Sequence, residues 1–156
     1  MKRSLFLAFL LLPLAAGAQT YTFSTLVNFP PTSKHGPQEP TAPLIIDSAG
    51  NLYGTSWHGG THDSCCGGDG TVFKVTPGGV LTVLHNFNAA AGEGAFPFAN
   101  VVRDSAGNLY GTTMSGGTTG QGTLFKLSPS GVETILHNFT GEINGNEPFN
   151  AVTLDG

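Results

Sequence analysis

Asp47-Ser48-Ala49-Gly50-Asn51-Leu52-Tyr53-Gly54-Thr55 recurs without a change as Asp104-Ser105-Ala106-Gly107-Asn108-Leu109-Tyr110-Gly111-Thr112, 57 residues further on. Two more stretches follow the same rhythm. Gly70-Thr71-Val72-Phe73-Lys74-Val75 returns as Gly122-Thr123-Leu124-Phe125-Lys126-Leu127, and Leu84-His85-Asn86-Phe87 returns as Leu136-His137-Asn138-Phe139, each after 52 residues. A worn copy of the last, Leu26-Val27-Asn28-Phe29, precedes both. An identity nine residues long is not a coincidence, and a period of about 50–58 residues is the length of one propeller blade of the kelch size.

Within each repeat the pattern reads as four strands. Strand a covers 43–47 and 98–104, strand b 52–56 and 109–113, strand c 71–76 and 123–128, and strand d 80–87 and 132–139. Strict alternation along the first d strand puts Leu81, Val83, His85 and Phe87 on one face and Val80, Thr82, Leu84 and Asn86 on the other. The a–b turns supply Gly where a hairpin wants positive φ, and the c–d turns, Pro77-Gly78-Gly79 and Pro129-Ser130-Gly131, pair a preset bend with a closing Gly. No stretch beyond the N-terminus keeps a 3.6-residue period. The expected fold is therefore all-β: a partial β-propeller of four-stranded antiparallel blades. About two and a half repeats are present, at 40–87 and 97–139, with edge strands near 22–29 and 150–155. A closed propeller takes about 4–8 blades, so the chain reads as a piece of a larger ring, one expected to self-associate on its own through bare edges.

The first 18 residues are set apart. Lys2 and Arg3, an apolar run over 4–14 and Ala16-Gly17-Ala18 make a secretory signal peptide cleaved after Ala18. Its apolar core is shorter than the roughly 20 residues a membrane helix needs, so no membrane span is expected in the mature chain, 19–156. Export to the periplasm, cell surface or medium follows. The formal net charge of −4 becomes more negative when Lys2 and Arg3 leave. So few basic residues argue against nucleic acid as a partner. Charged residues are only 10% of the chain and Gly accounts for 23 positions, a composition of tight turns between short strands.

In an antiparallel meander the b–c and d–a connections emerge at one edge and the a–b and c–d turns at the other. The first two vary between copies and the others hardly do, so the b–c/d–a rim is where a ligand is expected. Trp57, His58, His62, Asp63 and Met114 are the candidate ligand-facing residues. The first b–c loop, 58–69, gathers two His, two Cys and two Asp, but its spacing matches no zinc motif. It reads as a surface insertion dispensable for folding. Cys65 and Cys66 are adjacent and either form a strained vicinal disulfide or remain free or intermolecularly paired thiols. His85 and His137 take the place of Val27 and read as packed strand positions. Tyr53, Tyr110, Phe73, Phe125, Phe87 and Phe139 read as inter-blade core. No catalytic residue, metal site or cofactor is expected.

The ordered set Asp-Ser-Ala-Gly-Asn-Leu-Tyr-Gly-Thr-Thr (104–113), Gly116-Gly117, Gly-Thr-Leu-Phe-Lys-Leu (122–127), Ile135-Leu136-His137-Asn138-Phe139 and Asn146-Glu147-Pro148 resembles the GloVer-type tandem repeat of secreted and surface-anchored bacterial proteins. The resemblance covers the whole mature chain. It implies an exported, repeat-built protein and attaches no biochemical activity to the repeat. The Asp-x-x-Gly-Asn-Leu-Tyr core is also similar, more loosely, to NHL and lactonase-type blades, a likeness of scaffold that transfers no active site. The expected function is an extracellular or surface binding or structural module, its partner an extracellular ligand or cell-surface component. The alternative is a propeller-type hydrolase, a lactonase or glycan-cleaving enzyme, which needs ligands or carboxylates converging at strand ends of several blades.

Overall fold

The computed structural model describes residues 22, 24–29, 35–62, 67–141 and 144–155. The signal-peptide reading, Asp63 and the Cys65–Cys66 pair lie outside them. Twelve short strands are present among the described residues. β1 (Pro37–Gln38) leads into β2 (Ile45–Ile46), β3 (Leu52–Ser56), β4 (His58–Gly59), β5 (Thr71–Val75) and β6 (Leu81–Asn86). A second pass repeats the pattern with β7 (Gly94–Ala95), β8 (Val102–Arg103), β9 (Leu109–Thr113), β10 (Ser115–Gly116), β11 (Thr123–Leu127) and β12 (Glu133–Asn138). Each pass builds a four-stranded antiparallel meander, β2-β3-β5-β6 and β8-β9-β11-β12. No helix among the described residues is long and apolar enough to cross a membrane.

The repeated turn explains why the b strands begin where they do. The Asp47 carboxylate accepts hydrogen bonds from Ala49 N–H (3.0 Å) and Asn51 N–H (2.9 Å) through one oxygen, and from Asn51 Nδ2 (2.9 Å) and Tyr53 O–H (3.0 Å) through the other. Asp104 repeats this with Asn108 and Tyr110. One side chain thus closes the hairpin and anchors the first aromatic of the b strand. Arg103 lies 5.7 Å from the centre of the Tyr53 ring and Lys126 lies 5.8 Å from that of Tyr110. The tyrosines therefore join the core to the a–b turns and are not wholly inter-sheet core.

The hydrogen bonds from Asn51 hold the Asp47 carboxyl down at about 2, from an ordinary 3.8; Asp104 is lowered for the same reason, with Asn108 as donor. A carboxyl depressed in the folded state stabilises it fully above the unfolded value and loses that contribution as pH falls through the folded value. The stability gap between the wild type and an Asp47→Asn/Asp104→Asn variant should be constant above about pH 4 and close towards about pH 2. Thermal melts across that window check it; a gap that persists unchanged in acid would count against the turn.

The two sheets pack face to face. Val72 and Phe87 of the first repeat form one buried cluster with Val101, Leu109, Phe125 and Leu127 of the second, with Ile45, Tyr53 and Leu84 at its margin. The Phe87 and Phe125 rings meet edge-on with centroids 5.1 Å apart. Phe29 repeats the relation on the other side of the first sheet, 5.1 Å from Phe73. Thr55 Oγ1 donates to Ala99 O (2.9 Å) and Thr112 Oγ1 to Asn150 O (3.1 Å), a second pair of equivalent ties.

Several expectations need correction. The edge segments 24–29 and 150–155 carry no ladder pairing, although they occupy the places the repeat assigns them. The a strands shrink to two paired residues each. Among the described residues the d–a connection holds a three-residue 3₁₀ turn, Ala89–Ala91, and the elements include no α-helix, as expected. The alternation along strand d also breaks. Phe73 pairs with Val83 but Val72 pairs with His85, so Leu84 is an extra, unpaired residue. Residues directly opposite share a face, and Val72 and Phe73 point to opposite faces, so Val83 and His85 do too. Leu136 makes the same bulge in β12. The bulge sends His85 towards the second sheet, beside Phe87 (centroids 4.9 Å apart).

The first b–c loop is likewise more than a dispensable insertion. Asp69 is fully buried. Its Oδ2 accepts from Ala89 N–H at 2.9 Å, holding the start of the 3₁₀ turn, and its carbonyl accepts from Phe96 N–H at 2.8 Å.

Candidate functional site

At one edge of the sheets β1 pairs with β4 and β7 with β10. These short ladders join each d–a connection to the b–c connection of the strands beside it, so both variable loops do share one rim. The bend after each b strand is held by hydroxyls: Ser56 Oγ lies 2.8 Å from Thr71 Oγ1 and donates to His58 O, and Thr113 Oγ1 lies 2.9 Å from Thr123 Oγ1 and donates to Ser115 O. All four hydroxyl residues are buried. The residues that follow, Trp57-His58 and Met114-Ser115, are thereby presented at the rim.

The d–a connections contribute an unusual backbone. Glu39, Phe96 and Glu147 occupy one repeat position, each stands before a proline, and each has positive φ (54°, 58° and 42°). The proline disfavours a right-handed helical conformation in the residue before it. Tertiary hydrogen bonds hold the left-handed alternative: Trp57 N–H donates to Glu39 O and Met114 N–H to Phe96 O, while Glu147 N–H donates to Gln121 O. Left-handed non-glycine residues cost roughly 1–2 kcal/mol each, and such strain gathers at ligand-facing sites.

These two sets of residues meet between the repeats. Trp57, His58, Phe96, Met114, Ser115, Gly120 and Glu147 line a hollow of about 400 Å³. The Trp57 and His58 rings stack with centroids 4.9 Å apart and planes 20° from parallel. Phe96 meets His58 edge-on at 5.6 Å. Phe98 supports Trp57 from behind at 5.9 Å, and Phe149 supports Phe98 at 5.8 Å. The lining is thus aromatic, with Ser115 and Glu147 as its hydroxyl and carboxyl groups. Of the residues picked from the sequence, Trp57, His58 and Met114 lie round this hollow. His62 is exposed and is not part of its lining, and Asp63, Cys65 and Cys66 lie outside the described residues. Sequence reasoning missed Phe96 and Glu147; the residue before proline, repeated in each d–a connection, was the available signal.

A second cluster lies in the seam between the sheets. His85 Nε2 is 3.4 Å from Glu93 Oε2 and 3.7 Å from Glu133 Oε2. Burial lowers the His85 imidazole below its ordinary value, against the pull of Glu93. Burial, with repulsion from Glu93 added, pushes Glu133 up to about 7.

No curated protein matches the chain. The Gloeobacter/Verrucomicrobia repeat family matches residues 14–156, and that span takes in both meanders, the bulged d strands and every lining residue of the hollow. With its two stacked copies of one four-stranded unit, the chain belongs to the Gloeobacter/Verrucomicrobia repeat family.

Proposed function

We propose that this chain is an exported binding module, a run of β-propeller blades that grips a small ring-bearing extracellular ligand at the rim between neighbouring repeats. The observation that carries the reading is the hollow itself. Its volume of about 400 Å³ falls within the usual 300–1,000 Å³ of small-molecule sites, which pair an apolar lining with a few polar groups. Trp57 and His58 offer a flat face to a ring, and Ser115 and Glu147 offer partners to hydroxyl or amide groups around it. Saccharides are the natural first probes. His58 and Glu147 are the titratable groups of the lining, a set suited to holding a ligand. The alternative, hydrolysis by paired acids, calls for two carboxyls facing one another across the site.

Three features support the propeller reading. The contact that stacks the two meanders, Phe87 on Phe125, repeats at the same 5.1 Å spacing as Phe29 on Phe73 on the outer side of the first. The ties Thr55–Ala99 and Thr112–Asn150 repeat as well. The far face of the second sheet carries Leu136, 49% exposed, where its counterpart Leu84 packs at the inter-repeat cluster, so that face suits a further blade. Export is supported by the leader pattern of residues 1–18.

Trp57 is the single tryptophan of the chain, so its fluorescence reports on this hollow alone. Titration with mono- and oligosaccharides should give a saturable change in emission. Glu147→Ala should weaken binding by about tenfold, the value of one charged hydrogen bond. A flat signal across the panel, or equal affinity in the Glu147→Ala variant, would count against this site.

A further inference from the structure

We propose that His85, Glu93 and Glu133 form a binding site for one divalent transition-metal ion of the zinc class, which staples one repeat to the next. The donor atoms come from three elements: β6 of the first sheet, the d–a connection, and β12 of the second sheet. One ligand atom from each lies within 4.8 Å of the others. The imidazole nitrogen is 3.4 and 3.7 Å from the two carboxylates. Zinc bonds to nitrogen and oxygen of about 2.0–2.1 Å place donors about 3.3 Å apart at a tetrahedral centre, so the cluster needs only a small contraction to close on an ion.

A second observation points to a ligand. The Glu133 side chain is only 5% exposed and that of His85 12%. His85 Nε2, Glu93 Oε2 and Glu133 Oε1 are all buried without a hydrogen-bond partner. Buried polar groups are ordinarily satisfied, and each exception calls for an explanation such as an ion. A divalent cation would satisfy His85 Nε2 and Glu93 Oε2, take one carboxylate oxygen of Glu133 as a third ligand, and offset both carboxylate charges.

The surroundings hold these donors in place. The His85 ring is held edge-on against Phe87, with centroids 4.9 Å apart. Glu93 is pinned by its backbone, its N–H donating to Asn88 O (3.3 Å) and its carbonyl accepting from Gly117 N–H (2.8 Å). The bulge at Leu84 turns His85 to the face that meets the second sheet, and Glu133 pairs directly with Leu127 on the facing side.

The repeat supplies a comparison within the chain. The positions of His85 and Glu133 hold Val27 and Leu81 one repeat earlier. An apolar pair at one junction is thus replaced at the next by an imidazole and a carboxylate together, with Glu93 standing beside them. Ligands of mixed nitrogen and oxygen type, three in number, suit zinc and its neighbours, whereas calcium asks for six to eight oxygens.

The test uses purified chain stripped by a chelator and titrated calorimetrically with ZnCl₂ and, separately, CaCl₂. Zinc should bind one ion per chain and raise the melting temperature by several degrees, while calcium should give neither effect. His85→Val/Glu133→Leu restores the apolar pair of the earlier junction. It should fold with an unchanged circular dichroism spectrum and bind zinc more weakly by about tenfold or more. Glu133→Gln, which keeps the side chain's size, should also lose zinc affinity. Cys65→Ser/Cys66→Ser should bind as the wild type does. Absence of one-to-one zinc binding, equal affinity in the folded His85→Val/Glu133→Leu variant, or loss confined to the cysteine variant would each overturn the proposal.

Discussion

Phe87→Ala should lower the unfolding free energy by about 3–5 kcal/mol, the usual cost of emptying a phenylalanine site in a packed core. Phe87 has no solvent exposure. It stands just past the end of β6, its N–H donating to Gly70 O at 3.1 Å, and its ring closes edge-on against Phe125 of the second sheet. The substitution leaves the first meander's own ladder intact and removes the ring that joins it to the next. Phe139 fills the equivalent position at the end of β12 and is half-buried, so Phe139→Ala should cost only about 1 kcal/mol, near the typical effect of a point substitution. Urea unfolding followed by far-ultraviolet circular dichroism measures both. Equal losses would mean that the stacking of the sheets contributes little and that these residues matter only within their own repeat.

Gly122→Ala should cost about 3 kcal/mol or more, because two penalties coincide. Gly122 sits at φ +96°, where an L side chain is strained by roughly 1–2 kcal/mol. Its added Cβ would also run into the Thr113 carbonyl and stand 2.9 Å from Pro148 Cδ and 3.1 Å from Met114 O. Backbone cannot step aside as the end of a flexible side chain can. The bend that presents Met114 and Ser115 to the hollow would have to shift, so ligand affinity should fall together with stability. Gly120 provides the control. It too has positive φ (75°), but a Cβ there meets nothing within 4 Å. Gly120→Ala should therefore show the conformational term alone, about 1 kcal/mol. If the two substitutions cost the same, close packing at this bend is not what selects glycine.

The b strands at Leu52–Ser56 and Leu109–Thr113 were legible to the residue. Everything that starts them is local: an aspartate, its own backbone two to four residues on, and a Gly with the required φ. The c and d strands and the stacking of Phe87 on the next repeat were legible for a related reason, since a repeat announces its own neighbours. The variable rim was legible as well, because meander connectivity alone puts the b–c and d–a connections at one edge. Other features depended on contacts between residues far apart in the chain. The bulges at Leu84 and Leu136 are invisible to a pattern of alternation, yet they decide which face His85 takes. The role of Asp69 rests on Ala89, 20 residues away. Phe96 and Glu147 reach the hollow because tertiary hydrogen bonds hold a left-handed backbone before proline. His85, Glu93 and Glu133 each look ordinary where they stand; they become a cluster only when the two sheets close on one another. The local hydrogen bonds and the period of the sequence determined the four-stranded unit, while the packing of one unit on the next decided which side chains were brought together.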